Sequence, residues 1–402
     1  MSIVETRSLL AAVRVLMRGG LARYAVGSGS EVNRFEQELS RKIGVQRALG
    51  VNSGTSGLIA ALVGAGVGPG DEVLVPAYTW VSSAAAALAV GAVPVLVEID
   101  QSLTIDPEDM RRKITKHTRA VIPVHMLNLV SDMEAIMAIA AEHRLIVVED
   151  ACQAIGVTWR GRRMGSIGHA GVFSFQQNKN IQAGEGGAVL TNDDRIYARA
   201  CMYHDVGSYM RNDRVQTDEP FFVGVNFRMP ELTAAILRPQ LRALDKKLAR
   251  MRERREYVLD QLSRSARYEF RVCPHHDPSS AVGLAVCFDE VDAAREFASV
   301  PGINRLIETG RHLYPNWESV IGRHPAHPKM DPYAWAHRPI EIRPDSCPRT
   351  LEILERTCSI NLLPDLPMAA YKLAVRRMAG ERKDARGVPR GRPASSLTAQ
   401  RS

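Results

Sequence analysis

Lys179 lies in a polar loop, in the run Phe173-Ser-Phe-Gln-Gln-Asn-Lys-Asn-Ile-Gln-Ala-Gly-Glu-Gly-Gly, after a short apolar strand and ahead of three glycines within four residues, Gly184, Gly186 and Gly187. Those glycines let the backbone fold tightly against something bulky. A lysine partly withdrawn from water beside cationic or phosphate-bearing chemistry can lose its proton and condense with an aldehyde. The alternative is a loop lysine in a glycine-rich turn. Asp150 ends the apolar strand Leu145-Ile-Val-Val, within Glu149-Asp-Ala-Cys-Gln-Ala. A carboxylate there is costly to bury unless it meets a partner. A pyridine nitrogen would be such a partner, kept protonated so that the ring draws electrons from a carbanion, and Gln153 could face a phenolic oxygen on the same ring. An unpaired strand-end Asp is otherwise a turn former or helix cap.

Asn52-Ser-Gly-Thr-Ser-Gly-Leu runs into the apolar helix Ile59-Ala-Ala-Leu-Val. Free N–H groups and the dipole at a helix start favour a phosphate, which makes Gly54, Thr55 and Ser56 candidate ligands, against the simpler reading of a Ser/Thr cap. The Ser174 hydroxyl, five residues before Lys179, could reach the same phosphate. Trp80 could lie flat on an aromatic cofactor or pack in the core. The aldehyde expected at Lys179 is pyridoxal 5′-phosphate, whose phosphate, pyridine nitrogen and phenolic oxygen these residues would meet.

These side chains need elements to carry them. Val32, Phe35, Leu39 and Ile43 recur at helical spacing and Gly44 is a stop signal. Strands are expected at residues 47–51, 73–76, 93–97, 120–124 and 145–148. Between them come an alanine-rich helix opened by Trp80, a helix over 107–114 capped by Asp106, and a helix begun by a Ser131/Glu134 capping box and ending near His143. This alternation predicts an α/β fold with a mostly parallel central sheet, whose ligands gather beyond the carboxyl ends of the strands. Helical periodicity over 230–262 predicts a long helix joining a large domain (residues 1–262, with its N-terminal segment) to a small α/β domain (263–378) and a basic, disordered tail (379–402).

The 402 residues exceed one ordinary core, and 45% apolar content suffices to fill two. The longest apolar run, residues 84–93, is about half of a membrane span. Leu9-Leu-Ala-Ala-Val-Arg-Val-Leu-Met is interrupted by Arg14, which favours an amphipathic helix over a secretory signal, and the cytoplasm is the expected location. Six cysteines without Cys-x-x-Cys spacing indicate neither disulfides nor zinc, and the histidines of His324-Pro-Ala-His lack carboxylate or cysteine companions for a metal. The net charge of +8 does not point to nucleic acid, because from Arg376 onward eight Arg or Lys face only Glu381 and Asp384.

In order, Ser53-Gly-Thr, Pro69-Gly-Asp-Glu-Val, Pro76-Ala-Tyr-Thr-Trp, Glu149-Asp-Ala-Cys-Gln-Ala, Ser174-Phe-x4-Lys179, Gly184-Glu-Gly-Gly and Asn226-Phe-Arg-Met-x-Glu-Leu resemble the DegT/DnrJ/EryC1/StrS family of sugar aminotransferases. The resemblance implies the aspartate-aminotransferase architecture (fold type I). It implies Lys179 as the Schiff-base lysine, Asp150 on the pyridine nitrogen, Gln153 near the phenolic oxygen and Trp80 on the ring. Gly54, Thr55 and Ser174 would hold the phosphate, with Asn226 reaching it from the partner subunit of a homodimer that shares its active sites. Glutamate or glutamine would be the amino donor. Gln176-Gln-Asn-Lys resembles cyclitol aminotransferases, whereas Glu149-Asp-Ala-Cys-Gln-Ala-Ile-Gly and Asn316-Trp resemble enzymes acting on an oxidised octulosonate, so the acceptor is left as a keto-sugar or keto-cyclitol. His312 and Tyr314 fall where the family often has a substrate-side His-x-Tyr element. A dehydratase of the same fold, or a non-catalytic cofactor-binding regulator, would share most of these residues.

Overall fold

A computed structural model describes residues 6–23, 29–208, 217–265 and 267–379; all but the first residue of the basic tail lies outside the described residues. The chain opens with α1 (Thr6–Arg18) and α2 (Glu31–Ile43). Ser30 caps α2 by accepting the Asn33 N–H, and Gly44 ends it at φ 86°, a left-handed turn that glycine adopts without strain. There follow β1 (Arg47–Val51), α3 (Gly54–Gly64), β2 (Glu72–Pro76), α4 (Ser82–Ala89), β3 (Val93–Val97), α5 (Pro107–Lys113), β4 (Thr118–Val121), α6 (Met133–His143) and β5 (Ile146–Asp150). A hairpin, β6 (Thr158–Trp159) with β7 (Arg162–Arg163), precedes β8 (Ala170–Ser174), β9 (Gly187–Thr191), α7 (Asp194–His204) and the 33-residue α8 (Glu231–Ser263).

Seven strands form one sheet in the order β1-β9-β8-β5-β4-β2-β3. All neighbours pair parallel except β9, which is antiparallel to both β1 and β8. Every residue of β2, β3, β8 and β9 is buried, as continuous apolar strands covered on both faces must be. The Asp106 cap of α5 is as expected, with its side chain accepting the Glu108 N–H. The expected capping box on α6 is not formed. Asp132 caps that helix through the Ala135 N–H, while the Ser131 hydroxyl donates 3.2 Å to the Val124 carbonyl. Trp80 lies in the turn before α4 rather than in it.

After α8 come β10 (Arg271–Val272), β11 (Ala285–Cys287), α9 (Val291–Ala298), β12 (Ile303–Arg305), α10 (Glu318–Ile321), α11 (Pro348–Glu355), β13 (Thr357–Ile360) and α12 (Met368–Met378). Their four strands make an antiparallel sheet, β10-β11-β13-β12. Leu244, Leu248, Met251 and Val258 of α8 share one apolar cluster with Val147 of the first sheet and with Phe288 and Phe297 beside the second. α1 is apolar on the side turned to solvent. It packs on α8 through Val15 and Ser8, whose hydroxyl donates 2.9 Å to the Ile236 carbonyl, and leaves Leu9, Leu10, Val13, Leu16 and Met17 exposed. No helix among the described residues is long and apolar enough to cross a membrane.

Candidate active site

The last two residues of β5 are adjacent carboxylates with different surroundings, because successive side chains leave a strand on opposite faces. Glu149 is fully buried and accepts from four donors: the N–H groups of Ile167 and Gly168 at 2.6 Å, that of Gly165 at 2.7 Å, and His125 Nε2 at 3.1 Å. His125 Nδ1 accepts the Ser131 N–H, so the ring proton sits on Nε2 and points at the carboxylate. Asp150 instead lines a cleft. Its Oδ2 accepts from the Ser83 hydroxyl at 2.9 Å and its Oδ1 from the Cys152 N–H at 3.2 Å, while Ser83 is itself 2.8 Å from the Thr79 hydroxyl.

The start of α3 faces the same cleft. Ser53 caps the helix by accepting the Ser56 N–H. A Cβ on Gly54 would come within 2.8 Å of the Ser174 Cβ and 3.0 Å of the Cys152 sulfur, so only glycine leaves room there. Thr55 donates 2.8 Å to the Ser82 hydroxyl and lines the cleft with Gly54 and Ser174. Ser56 does not line it. Its hydroxyl is buried, donating 2.6 Å to Asn52 Oδ1 and lying 2.8 Å from the Ser53 hydroxyl, so that side chain ties the turn together while Ser53 supplies the cap. The glycine run has a local cause as well. A Cβ on Gly187 would sit 2.3 Å from the Ser53 carbonyl oxygen, so the close approach there is between β9 and the chain's own turn into α3.

Lys179 opens on the cleft, and its amine has no hydrogen bond or ion pair among the described residues. Burial, and then the Asp150 carboxylate, push the Cys152 thiol well above its usual pKa; the Lys179 charge pulls the other way, so both charges reach the same thiol. Gln153 Oε1 accepts the Leu127 N–H at 3.1 Å, which leaves its NH₂ end as the available donor. The Trp80 ring, 41% exposed, lies 5.0 Å from that of His312 at 58°. The segment bearing His312 is held beside Trp80 by backbone bonds from Thr79 N–H to the His312 carbonyl and from Val81 N–H to the Arg311 carbonyl. His312 Nδ1 bonds the Thr309 carbonyl, and burial, helped by the Lys179 charge, keeps the imidazole pKa below its usual value.

Besides Ser56, Tyr314 lies outside the cleft, and Asn226, expected to reach a partner's site, does not line its own. Tyr314 is fully buried outside the cleft, donating 2.7 Å to the Pro344 carbonyl and accepting the Cys347 N–H at 2.9 Å. Its environment is that of a core residue tying down the chain before α11, and the His-x-Tyr spacing cannot distinguish this from a substrate contact. Asn226 is exposed and is not among the residues lining its own chain's cleft. The sequence reading missed Ser83 behind Asp150 and the Asn128–Asn180 pair; Ser83, three residues after Trp80, carries the only local signal.

The cleft is about 1110 Å³, closed on its far side by residues from α8, β12 and the segment after β13. Each part of pyridoxal 5′-phosphate has a counterpart here: an amine without a partner among the described residues, a buried carboxylate, an amide donor, and a helix N-terminus that Gly54 leaves open. The residues fit the group. A mostly parallel sheet that brings this aspartate, at a strand end, and this lysine, in the loop after β8, to one cleft is the fold type I architecture, that of the pyridoxal-phosphate-dependent class. More narrowly, the chain belongs to the DegT/DnrJ/EryC1/StrS aminotransferase family, whose model matches residues 6–371. It is 40% identical over 256 residues to the 3-amino-5-hydroxybenzoate synthase of Amycolatopsis mediterranei, covering 62% of this chain and 63% of that one. It is 38% identical over 251 residues to the L-glutamine:2-deoxy-scyllo-inosose aminotransferase of Streptomyces lividus, covering 60% and 58%. The chain thus spans about three-fifths of these relatives' own length. The crystal structure of S. venezuelae DesV in complex with a ketimine intermediate matches with a TM-score of 0.74 at 33% identity, over 95% of this chain and 96% of that one.

Proposed function

We propose that this protein is a homodimeric aminotransferase that moves an amino group from glutamate or glutamine to the ketone of a keto-sugar or keto-cyclitol, in amino-sugar or aminocyclitol biosynthesis. The observation that carries the reading is the Lys179 amine, without a protein partner among the described residues and facing the same cleft as buried Asp150. When bound, pyridoxal phosphate supplies the electron sink that acidifies the donor's α-carbon. Lys179 would be the base that removes the donor's α-proton and, in the second half of the cycle, the acid that returns a proton to the former ketone carbon of the acceptor. Asp150, steadied by the Ser83 hydroxyl, holds the proton on the ring nitrogen. Gln153 donates its NH₂ to the phenolic oxygen. The first N–H groups of α3, with Thr55 and Ser174, bind the phosphate. Trp80 would stack on the cofactor ring, and His312, kept neutral by burial, would offer Nε2 to a substrate hydroxyl.

Dimerisation is supported by apolar surface on one protomer. Asn226 is exposed near Phe221 (62% exposed) and Val223 (91%), and α1 carries its own outward apolar stripe. Such surface is what a subunit interface would cover.

The test is spectroscopic. The holoprotein's absorbance band should shift with L-glutamate or L-glutamine and return with an accepted ketone, and Lys179→Ala should abolish both the covalent cofactor band and turnover. A band that no amine donor moves would leave a non-catalytic cofactor-binding protein. A keto-sugar that loses water while the donor's nitrogen leaves as ammonia, instead of being retained in the product, would make it a dehydratase.

A further inference from the structure

Leu127 and Asn128, consecutive non-glycine residues at the cleft, both occupy the left-handed region, at φ 55° and 62°. Such backbone persists only where its surroundings hold it. Here the Leu127 N–H is held by Gln153 Oε1 at 3.1 Å, and the Leu127 carbonyl lies over Gly283, where a Cβ would come within 2.1 Å of it. Asn128 Oδ1 accepts from Asn180 Nδ2 at 2.8 Å, and the same nitrogen donates 3.0 Å to the Ile155 carbonyl. A backbone carbonyl only accepts, so that second bond fixes which end of Asn180 is nitrogen, and therefore which end of Asn128 is oxygen. Both protons on Asn180 Nδ2 are then used. What is left over is one acceptor, Asn180 Oδ1, and one donor group, Asn128 Nδ2. Neither atom has a hydrogen bond among the described residues, neither is sealed from solvent, and both residues line the cleft, Asn180 directly after Lys179.

We propose that Asn128 and Asn180 select the amino donor, forming a paired-amide subsite for the side-chain carboxamide of glutamine. The carboxamide oxygen accepts from Asn128 Nδ2 and its nitrogen donates to Asn180 Oδ1. This rests on the aminotransferase reading and deepens it. A glutamate carboxylate would set an acceptor against Asn180 Oδ1, and neither amide of the pair carries a positive charge to offset that of the carboxylate. Sites built to hydrogen-bond a group reject an analogue that leaves their polar atoms unpaired.

The donor half-reaction of the holoenzyme, followed by absorbance with L-glutamine and with L-glutamate and no ketone present, tests this. The wild type should favour glutamine in kcat/KM by about tenfold or more, the value of one well-placed hydrogen bond. Asn128→Gly keeps the left-handed backbone and removes the amide. Asn128→Asp keeps the shape and the bond to Asn180 but replaces the N–H donor with an oxygen. Each should lower kcat/KM for glutamine, through KM, and the preference should fall about tenfold in Asn128→Gly. A wild type that favours glutamate, or an unchanged ratio in both variants, overturns the proposal. So does an unchanged ratio with weakened ketone binding, which would assign the pair to neighbouring hydroxyls of the acceptor. Conversion with neither donor in the wild type would instead overturn the aminotransferase reading.

Discussion

Asp150 and Glu149 separate chemistry from architecture within one dipeptide. Asp150 touches a serine hydroxyl and a backbone N–H at the cleft, and Glu149 satisfies four buried donors away from it. Asp150→Asn is expected to cut kcat by about 10²–10⁴-fold with little change in unfolding midpoint. Glu149→Gln places an NH₂ among N–H donors and should destabilise the fold by about 3 kcal/mol in denaturant titration, leaving the cofactor band where it was. Tyr314→Phe strips a partner from both the Pro344 carbonyl and the Cys347 N–H. It should cost about 1–3 kcal/mol of stability and leave the KM of the ketone unchanged; a raised KM would return Tyr314 to the substrate site.

The connection from β10 to β11 carries an acid-sensitive element. His275 Nδ1 accepts the Asp277 N–H, and burial, only partly opposed by neighbouring polar groups, pushes its pKa down to about 4. The unfolded chain, with an imidazole near 6.5, therefore binds this proton first. Stability is level above about pH 6.5 and is lost as pH falls towards 4, by at most about 3 kcal/mol from this group. His169 and His312 are shifted in the same direction, by burial in each case, and add to the slope. Urea midpoints at pH 7 and pH 5 should differ less in His275→Gln than in the wild type. An identical difference would mean that His275 is not buried neutral.

The chain offers Lys179 to its own cleft but turns Asn226 to solvent, in a segment where Phe221 and Val223 are exposed too. If the partner's cleft receives Asn226, inactive Lys179→Ala and weakened Asn226→Ala chains should complement when re-assembled together. A hybrid then holds one intact site, and equal random mixing should restore about a quarter of wild-type activity. Hybrids proven by mass but lacking that recovery would confine Asn226 to its own chain.

The alternation of strands and helices, and the order of Gly54, Trp80, Asp150, Ser174 and Lys179, are legible in the chain because both are local: periodicity sets which face is apolar, and glycines and caps set where elements stop. What needed the folded molecule is what depends on segments far apart in sequence. Ser56 and Thr55 are adjacent and chemically alike, yet the turn into α3 aims one hydroxyl at Asn52 and the other at Ser82. Tyr314 reads as a substrate contact until the chain returns at Pro344 and Cys347 to enclose it. The apolar face of α1 is visible in its sequence, but only its packing on α8 decides that the face points outward. The amides of Asn128 and Asn180 meet because Gly283 and Gln153 hold an unfavourable backbone in place, and no spacing rule encodes a contact that three distant segments must agree on.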